Sequence, residues 1–352
     1  MSSCKEKDMA RDILRDIKKL GIKKEVRIME VCGTHTQTIA RYGIKNILPE
    51  NIKLISGPGC PVCVTPASHV DLAIKLAEEE DVIITTYGDA YKLPGSEKSL
   101  AEVGKNVKIV YSVDEVIEMC RAQRDKEFVH LSIGFETTAP AIASVLLKNP
   151  ELENFSIIPS NKLIPPAMQY LIKNDCKIDG FICPGHVSAI IGAKPYERIA
   201  EVYEKPCVIS GFEAIDVLKS ILMILNQIKN NISKVEIEYK RLVKYEGNKI
   251  AREKMDKVFK ASNAYWRGIG NIPSSGLKLR NRFKRFDAPK RYKIKLKDAK
   301  EIKPGCLCSK IIVGNALPTQ CKLFRKECTP YKPYGPCMVS VEGACNVAFR
   351  YG

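Results

Sequence analysis

Val26-Arg27-Ile28-Met29-Glu30-Val31 runs directly into Cys32-Gly33-Thr34-His35-Thr36, and this stretch decides the fold. The first six residues are rich in β-branched side chains and alternate loosely, which predicts a buried strand. Ligands of open α/β sheets bind beyond the carboxyl ends of the strands, so a cysteine at this position is a candidate for chemistry. A buried cysteine with no function is the alternative interpretation of Cys32 alone.

The strand that begins at Val26 is the first of a series. Strands are predicted at residues 26–31, 52–56, 81–86, 107–111, 128–133, 155–159, 178–183 and 207–210. Helical patterns lie between most of them, which indicates parallel sheets built from βαβ units. Two of the strands are followed by Gly-x-x-Thr, which favours two similar Rossmann-like domains facing one cleft. Two unrelated α/β domains are the alternative. No Gly-x-Gly-x-x-Gly follows a strand, so no dinucleotide site is predicted.

The composition of the 352 residues is that of a globular protein, with 14 cysteines and a net charge of +17. No apolar run reaches the roughly 20 residues of a membrane helix, and the N-terminus has no apolar signal region. We therefore expect a cytoplasmic protein without membrane contact. In a reducing compartment the cysteines are expected to bind metal or to do redox work.

The positive charge is concentrated near the C-terminus. Residues 278–300 contain eleven Lys and Arg against Asp287 and Asp298. No nucleic-acid-binding motif accompanies these charges, and charge alone is a weak signal. We interpret the segment as a solvated surface, or a docking face for an acidic protein, and expect no nucleic acid as a partner.

Cys60-Pro61-Val62-Cys63 follows the second predicted strand in a Gly-Pro-Gly-rich loop. In a cytosolic α/β protein this spacing is typical of a redox dithiol. The loop position suggests that both thiols are accessible. Half of a zinc site is the alternative, and it needs a second cysteine pair nearby in space.

Six further cysteines lie close together in the last fifty residues, a segment with little periodicity and many prolines. They are Cys306, Cys308, Cys321, Cys328, Cys337 and Cys345. Such a segment cannot bury a core of its own, so cross-links are expected to hold it. The irregular spacing favours an iron–sulfur cluster, and six sulfurs allow four ligands and one disulfide-forming pair.

The fold class that follows is α/β, with two Rossmann-like parallel-sheet domains facing a cleft and a C-terminal cysteine-rich iron–sulfur domain. The expected parts are an N-terminal helix packing on the C-terminal domain, two α/β domains, and a helical and basic segment that ends in the cluster domain. Their boundaries are residues 1–25, 26–125, 126–213 and 214–352.

Four polar residues each follow closely on a predicted strand and are expected at the same rim as Cys32. They are His35, Glu136, His186 and Glu213. Singly, each is more typical of a structural role. As a set lining one cleft they could relay protons or hydrogen-bond a small ligand. Gly33 would leave room for that ligand close to the backbone.

Five motifs in this order resemble the HypD family of hydrogenase-maturation proteins. They are Cys-Gly-Thr-His-Thr, Gly-Pro-Gly-Cys-Pro-Val-Cys, Gly-Phe-Glu-Thr-Thr, Pro-Gly-His-Val-Ser and the closing cysteine array. Residues 272–277 (Ile-Pro-Ser-Ser-Gly-Leu) and 335–340 (Gly-Pro-Cys-Met-Val-Ser) strengthen the resemblance, which covers nearly the whole chain.

The resemblance implies a scaffold with redox activity on which the iron–dicyano–carbonyl unit of nickel–iron hydrogenase is built. It implies that Cys32 holds this iron together with a cysteine of a small HypC-like chaperone, and that a HypE-like protein donates cyanide. Alone, the protein is expected to be a monomer.

The resemblance also assigns roles to the other cysteines. Cys60 and Cys63 would be one redox pair and Cys308 and Cys337 a second. The ligands of a 4Fe–4S cluster would be Cys306, Cys321, Cys328 and Cys345. A thiol–disulfide reductase fed by an iron–sulfur cluster is the alternative function, and a nucleic-acid-binding iron–sulfur protein is a weaker one.

Overall fold

The computed structural model describes residues 4–79, 81–104, 106–174, 176–294 and 299–352. The strands are β1 (Val26–Glu30), β2 (Ile52–Ser56), β3 (Val82–Thr86), β4 (Val107–Ile109), β5 (Glu127–Gly134), β6 (Phe155–Asn161), β7 (Gly180–Pro184), β8 (Cys207–Ser210), β9 (Val235–Ile237), β10 (Phe259–Trp266) and β11 (Gly270–Leu279). The helices are α1 (Cys4–Lys19), α2 (Gly33–Arg41), α3 (Ile44–Ile47), α4 (Ala67–Ala77), α5 (Gly88–Tyr91), α6 (Val113–Ala122), α7 (Ala139–Lys148), α8 (Ile164–Lys173), α9 (Gly185–Ile191), α10 (Glu197–Tyr203), α11 (Ala214–Lys229), α12 (Lys249–Val258), α13 (Ala288–Arg291), α14 (Cys308–Ile311) and α15 (Ala344–Tyr351).

Two parallel sheets organise the chain, which confirms the predicted α/β class with Rossmann-like units. The first sheet has the strand order β2-β1-β7-β8-β9, and the second has the order β4-β3-β5-β6. All pairs within both sheets are parallel, whereas β10 and β11 form an antiparallel hairpin.

The sheets do not follow the domain boundary expected between residues 125 and 126. β1 pairs with β7, with Met29 opposite Phe181, so the chain returns to the first sheet after completing the second. The expected boundary instead falls between β4 and β5, inside the second sheet. Hydrophobic periodicity marks where strands lie but does not distinguish two parallel sheets, because their strands have the same pattern.

The N-terminal helix α1 belongs to the first α/β unit. Its buried residues Ile13 and Ile17 share one apolar cluster with Val26 and Ile28 of β1 and with Ile221 of α11. Helix α11 does lie in the segment expected to receive α1, but it packs on β7 and β8 rather than on the cysteine-rich end. The amphipathic pattern of α1 therefore supports the first sheet.

The cysteine-rich end is made of turns and short helices, as its lack of periodicity predicts. Its buried residues Cys308, Cys337 and Met338 belong to the same apolar cluster as Val31 and Val64, which lie near the first sheet. This segment therefore shares the core of the α/β units.

Residues 265–300, which include the basic run, contain β11 and the end of β10. Some of their charged side chains make hydrogen bonds within the fold. Arg280 donates to the carbonyls of Asp256 and Phe259, and Arg291 donates to the carboxylate of Glu127. Lys295, Lys297 and Asp298 of the basic run lie outside the described residues. Within the described part of the chain, no helix combines the length and apolar character that crossing a membrane requires.

Replacement of Ile17 by alanine should test the packing of α1. Ile17→Ala should lower the free energy of unfolding by about 2–4 kcal/mol, because it leaves a cavity in a packed cluster. Met9 of the same helix is 43% exposed, so Met9→Ala should change stability by less than about 0.5 kcal/mol. Urea denaturation followed by circular dichroism measures both. Equal effects would mean that α1 does not pack on the first sheet.

Candidate functional site

The carboxyl ends of the strands of the first sheet meet at one edge, where most of the predicted site residues lie. Cys32 follows β1, the Cys60–Cys63 loop follows β2, His186 follows β7 and Glu213 follows β8. This edge is where a parallel sheet offers its loops to a ligand.

Cys32 caps the N-terminus of α2 with an extended backbone (φ −150°, ψ 125°). Its N–H donates to Oε2 of Glu30 at 3.1 Å, and the N–H of Gly33 donates to the carbonyl of Gly59 at 3.1 Å. A Cβ at Gly59 would lie 2.2 Å from the nitrogen of Cys32. The Gly-Pro-Gly loop therefore needs its second glycine to approach Cys32.

The thiol of Cys32 lies between opposing electrostatic influences. Burial and the carboxylates of Glu342 and Glu30 raise the pKa of Cys32 to about 12, while backbone N–H groups of His35 and Thr34 lower it. In the absence of a cation the group is therefore a neutral thiol at pH 7. The same two carboxylates favour a bound cation, and a coordinating cation deprotonates the thiol.

Residues 335–345, the bridging segment, connect Cys32 to both sheets. Oγ1 of Thr34 donates to Oε1 of Glu342 at 2.8 Å, and Nε2 of Gln37 donates to the carbonyl of Val341 at 2.8 Å. On the other side, Oγ of Ser340 donates to Asp89 at the carboxyl end of β3, at 2.7 Å. The bridging segment thus joins the edges of the two sheets.

Gly33 does not leave the room for a ligand that the sequence suggested. A Cβ at this position would lie 2.4 Å from the Cβ of Glu342. The space is occupied by the bridging segment, which needs a glycine at residue 33 to pack against α2.

Cys60 and Cys63 form a disulfide with their Cα atoms 5.3 Å apart. The expectation that they are accessible is wrong, because they are 5% and 2% exposed. The bridging segment covers them: a Cβ at Gly343 would lie 3.0 Å from Sγ of Cys63 and 2.3 Å from the carbonyl of Cys337. Cys60, Cys63 and Cys337 line one small cavity.

The six C-terminal cysteines come together in space. One cavity is lined by five of them, namely Cys306, Cys308, Cys321, Cys328 and Cys345. The sixth, Cys337, donates its N–H to Sγ of Cys308 at 3.2 Å and lines the cavity of the disulfide instead. Hydrogen bonding to Cys308 raises the pKa of Cys306 and of Cys337, while the thiol contacts and Arg267 bring the pKa of Cys308 below its ordinary value despite burial.

The donor set of this cavity fits an iron–sulfur cluster. Thiolates are the ligands of such clusters, and the remaining wall is apolar, formed by side chains such as Ile311, Leu323 and Phe324. Gly335 leaves space beside the sulfurs, since a Cβ there would lie 2.6 Å from Sγ of Cys306. The described residues contain no preassembled group of three or more metal ligands, so the sulfurs would have to close around a cluster.

The histidines of the first sheet are held around Phe212. Nε2 of His35 is 2.9 Å from the carbonyl of Gly211, and its ring stacks on Phe212 at 4.9 Å. Burial lowers the pKa of His35 to about 4, so the ring is neutral. His186 is exposed, and the centroid of its ring lies 4.1 Å from that of Phe212. His35 therefore supports the loop after β8, and it is His186 that faces solvent.

The two glutamates of the predicted set lie apart. Glu213 is exposed at the N-cap of α11, where its N–H donates to Asp216 at 3.2 Å. Glu136 follows β5 of the second sheet, is buried, and accepts the N–H of Ile164 at 2.9 Å. In the part of the chain described, no hydrogen bond joins either glutamate to Cys32.

Glu30, Asp89 and Glu342 were missed by the sequence reasoning. Burial raises the pKa of Glu30 to about 7, against the opposing effect of a hydrogen bond from Thr36. Glu30 stands two residues before Cys32 in a strand, which is a signal that could have been used. Glu342 reaches Cys32 only through tertiary contact, and nothing in its own neighbourhood indicates this.

The comparison with known proteins shows which family the chain belongs to. The model of the HypD family, described as the hydrogenase formation hypA family, matches residues 8–352. The chain belongs to the HypD family. A hydrogenase expression/formation protein of Methanocaldococcus jannaschii is 45% identical over 358 residues, covering all of this chain and 99% of the relative.

Bacterial members of the HypD family are similar over most of their length. The hydrogenase maturation factor HypD2 of Bradyrhizobium diazoefficiens is 42% identical, covering 94% of this chain and 90% of the relative. The hydrogenase maturation factor HypD of Cupriavidus necator is 41% identical, covering 92% and 89%. The resemblance read from the motifs is thus confirmed, and the protein is a hydrogenase maturation factor of this family.

Glu136 should make stability depend on pH. Burial raises the pKa of Glu136 to about 8 from an ordinary value of 4.5. Between pH 4.5 and pH 8 the carboxyl is ionised in the unfolded chain but protonated in the folded protein. The free energy of unfolding therefore falls as the pH rises through this range. Glu136→Gln keeps an oxygen for the Ile164 N–H, and should raise the free energy of unfolding at pH 8 by about 1–3 kcal/mol.

Urea unfolding of the parent and of Glu136→Gln at pH 4.5 and pH 8 measures this effect. The two proteins should differ much less at pH 4.5, where the Glu136 carboxyl is protonated in the folded protein and only about half ionised in the unfolded chain. An equal difference at both pH values would contradict the buried, protonated state of Glu136.

Proposed function

We propose that this protein is the scaffold on which the iron–dicyano–carbonyl unit of nickel–iron hydrogenase is assembled, with Cys32 holding the iron. The observation that carries the proposal is the common attachment of three thiol sites to one segment. Residues 335–345 contact α2 next to Cys32, cover the Cys60–Cys63 disulfide and end at Cys345 in the cysteine cavity.

The surroundings of Cys32 suit an iron cation. The thiol lies at a helix N-terminus with two N–H groups directed at it, and two carboxylates supply negative charge nearby. A soft thiolate is a ligand that iron accepts, and one protein thiolate leaves coordination positions for other ligands. The second thiolate would come from a HypC-like chaperone, so the iron is held only by the two proteins together.

The cysteines behind Cys32 can pass reducing equivalents by thiol–disulfide exchange. A thiolate of the Cys308/Cys337 pair attacks the Cys60–Cys63 disulfide, a mixed disulfide forms, and the second thiol of the attacking pair resolves it. Two electrons and two protons move, leaving one new disulfide and one new dithiol. Gly343, which lies close to both the carbonyl of Cys337 and Sγ of Cys63, marks where this exchange would occur.

A 4Fe–4S cluster would pass single electrons from an external donor to the Cys308/Cys337 pair. Its ligands would be Cys306, Cys321, Cys328 and Cys345. Cys308 lines the same cavity as these four cysteines, while Cys337 faces the disulfide. The pair therefore lies between the two sites. These electrons would be used when cyanide is transferred from its HypE-like donor to the iron.

A thiol–disulfide reductase in which Cys32 has no role in iron binding is the second candidate function. The observation that favours it is the burial of a complete disulfide next to Cys337, which would serve exchange equally well without iron. The two functions differ in whether iron binding depends on Cys32.

Replacement of Cys32 separates the two functions. Cys32→Ala should abolish the infrared bands of cyanide and carbon monoxide in the complex with the chaperone, because the iron loses its ligand in this chain. The visible absorption of the cluster should persist, since the cysteine cavity uses other residues. Infrared and visible spectra of the anaerobically purified complex measure both effects.

Cys176→Ala is the matched control, because Cys176 is also partly exposed but lies outside the candidate site. It should keep the infrared bands at full intensity. Bands of parent intensity in the Cys32→Ala complex would exclude Cys32 as the ligand and favour the reductase.

Gly343→Ala should slow the exchange between the two redox pairs. The new Cβ would lie 2.3 Å from the carbonyl of Cys337, so the bridging segment must shift, and a shift of this kind should slow reduction of the Cys60–Cys63 disulfide at least about tenfold. Timed alkylation and mass spectrometry after addition of a limiting reductant measure the rate.

Gly88→Ala is the control for Gly343→Ala, because a Cβ at Gly88 meets its nearest atom, Cγ2 of Ile109, at an ordinary 3.7 Å. It should leave the rate unchanged. Equal rates for the Gly343→Ala variant and the parent would mean that exchange does not pass through this contact.

A further inference from the structure

The carboxyl edge of the second sheet carries a pocket that the proposed function does not use. Its walls are the first turn of α4, the end of β6, the β10–β11 hairpin and residues 299–301. Lys162, the residue directly after β6, lies in this pocket together with His69 and Glu301. Its position relative to the second sheet corresponds to that of Cys32 relative to the first, at the edge where ligands bind.

Lys162 is buried without a salt bridge, and the carboxylate of Glu301 acts on its charge only from a longer distance. The residue is 2% exposed, and among the described residues no carboxylate oxygen lies within 4.0 Å of its ammonium group. Its contact is with the ring of Trp266, whose centroid is 5.9 Å from Nζ. The backbone is fixed, since its N–H donates to the carbonyl of Gly134 and it forms a bridge with Gly276. A buried cation normally has a partner, because an unpaired one costs several kcal/mol.

The polar groups around Lys162 leave a place for an anion. Nδ1 of His69 is buried and has no hydrogen-bond partner in the described parts of the chain. The carboxylate of Glu301 is already used: it accepts the N–H of Ala67 at 2.8 Å and lies 3.8 Å from Nε of Arg267. Lys278 adds a second positive charge at the wall of the pocket.

We infer that this pocket binds a small oxoanion, of the carboxylate or phosphate type, through the ammonium of Lys162 and the ring of His69. The ligand would supply the negative charge that Lys162 lacks and a hydrogen-bond partner for the imidazole. Burial lowers the pKa of Lys162 to about 7 and that of His69 to about 3. A bound anion would hold the lysine in its charged form.

This site also explains the motif at residues 272–277, to which the iron chemistry gives no role. Gly276 lets the hairpin close beside the pocket, because a Cβ there would lie 2.5 Å from the Cβ of Ala264. Oγ of Ser275 accepts the indole N–H of Trp266 at 2.7 Å, which fixes the ring under Lys162.

Trp266 is the single tryptophan of the chain and therefore reports on this pocket. Sodium phosphate and sodium formate are titrated separately into the purified full-length protein at constant ionic strength, with sodium chloride as the reference. Tryptophan fluorescence and isothermal titration calorimetry follow binding. A saturable response to either anion supports the site. A response to phosphate alone identifies a phosphate-type ligand, and a response to formate alone identifies a carboxylate.

Lys162→Met and Lys173→Met are the matched variants, since Lys173 is an exposed lysine at the end of α8. Binding measured by calorimetry should weaken at least about tenfold in Lys162→Met and stay at the parent value in Lys173→Met. His69→Gln should also weaken binding, and it provides the test of the site if Lys162→Met does not fold. No saturable response of the parent to either anion, or binding at the parent affinity by both Lys162→Met and His69→Gln, would overturn the inference.

Discussion

The hydrogen bond from Thr34 to Glu342 holds the structure together at its functional edge, because it fixes the C-terminal bridging segment to the helix that Cys32 caps. Gly33 permits the contact by having no side chain. From this attachment the same segment reaches Asp89 beside the second sheet, covers the disulfide at Gly343 and enters the cysteine cavity at Cys345. One short stretch of chain thus positions three sulfur sites relative to each other.

Both sheets place their chemistry in the same way. Each sheet has a candidate site residue close after a strand at its carboxyl edge: Cys32 lies two residues beyond the end of β1, and Lys162 directly follows β6 and lines a pocket. The core behind each edge is apolar and buried, so these positions are fixed by the sheet and not by the loops. What differs is the cover: the bridging segment over the first edge and the β10–β11 hairpin over the second. Under the two proposals made above, the two edges would bind ligands of opposite charge.

Strand positions and the grouping of the C-terminal cysteines were predictable because their signals are local. All eight predicted strands exist, and the residues after β1, β2, β7 and β8 do meet at one edge. The pairing of β1 with β7 was not predictable, since one parallel strand has the same pattern as another. The position of Glu342 beside Cys32 and the burial of Cys60 were not predictable either, because both result from contacts between segments far apart in the sequence. The strand β11 was not predicted, because it contains Pro273 and two glycines and its buried residues do not alternate regularly.

The interleaving of the sheets has a consequence for the order in which the protein is made. The second sheet is complete in sequence once β6 has been synthesised, whereas the first must wait for β7, β8 and β9. Domains fold as units during synthesis, and contacts between distant segments form last. The thiol of Cys32, although translated early, acquires Glu342 as a neighbour only after 310 further residues have been added (342 − 32). Translation therefore delays completion of the surroundings of Cys32 until Cys60, Cys63, Cys308 and Cys337 have all been synthesised.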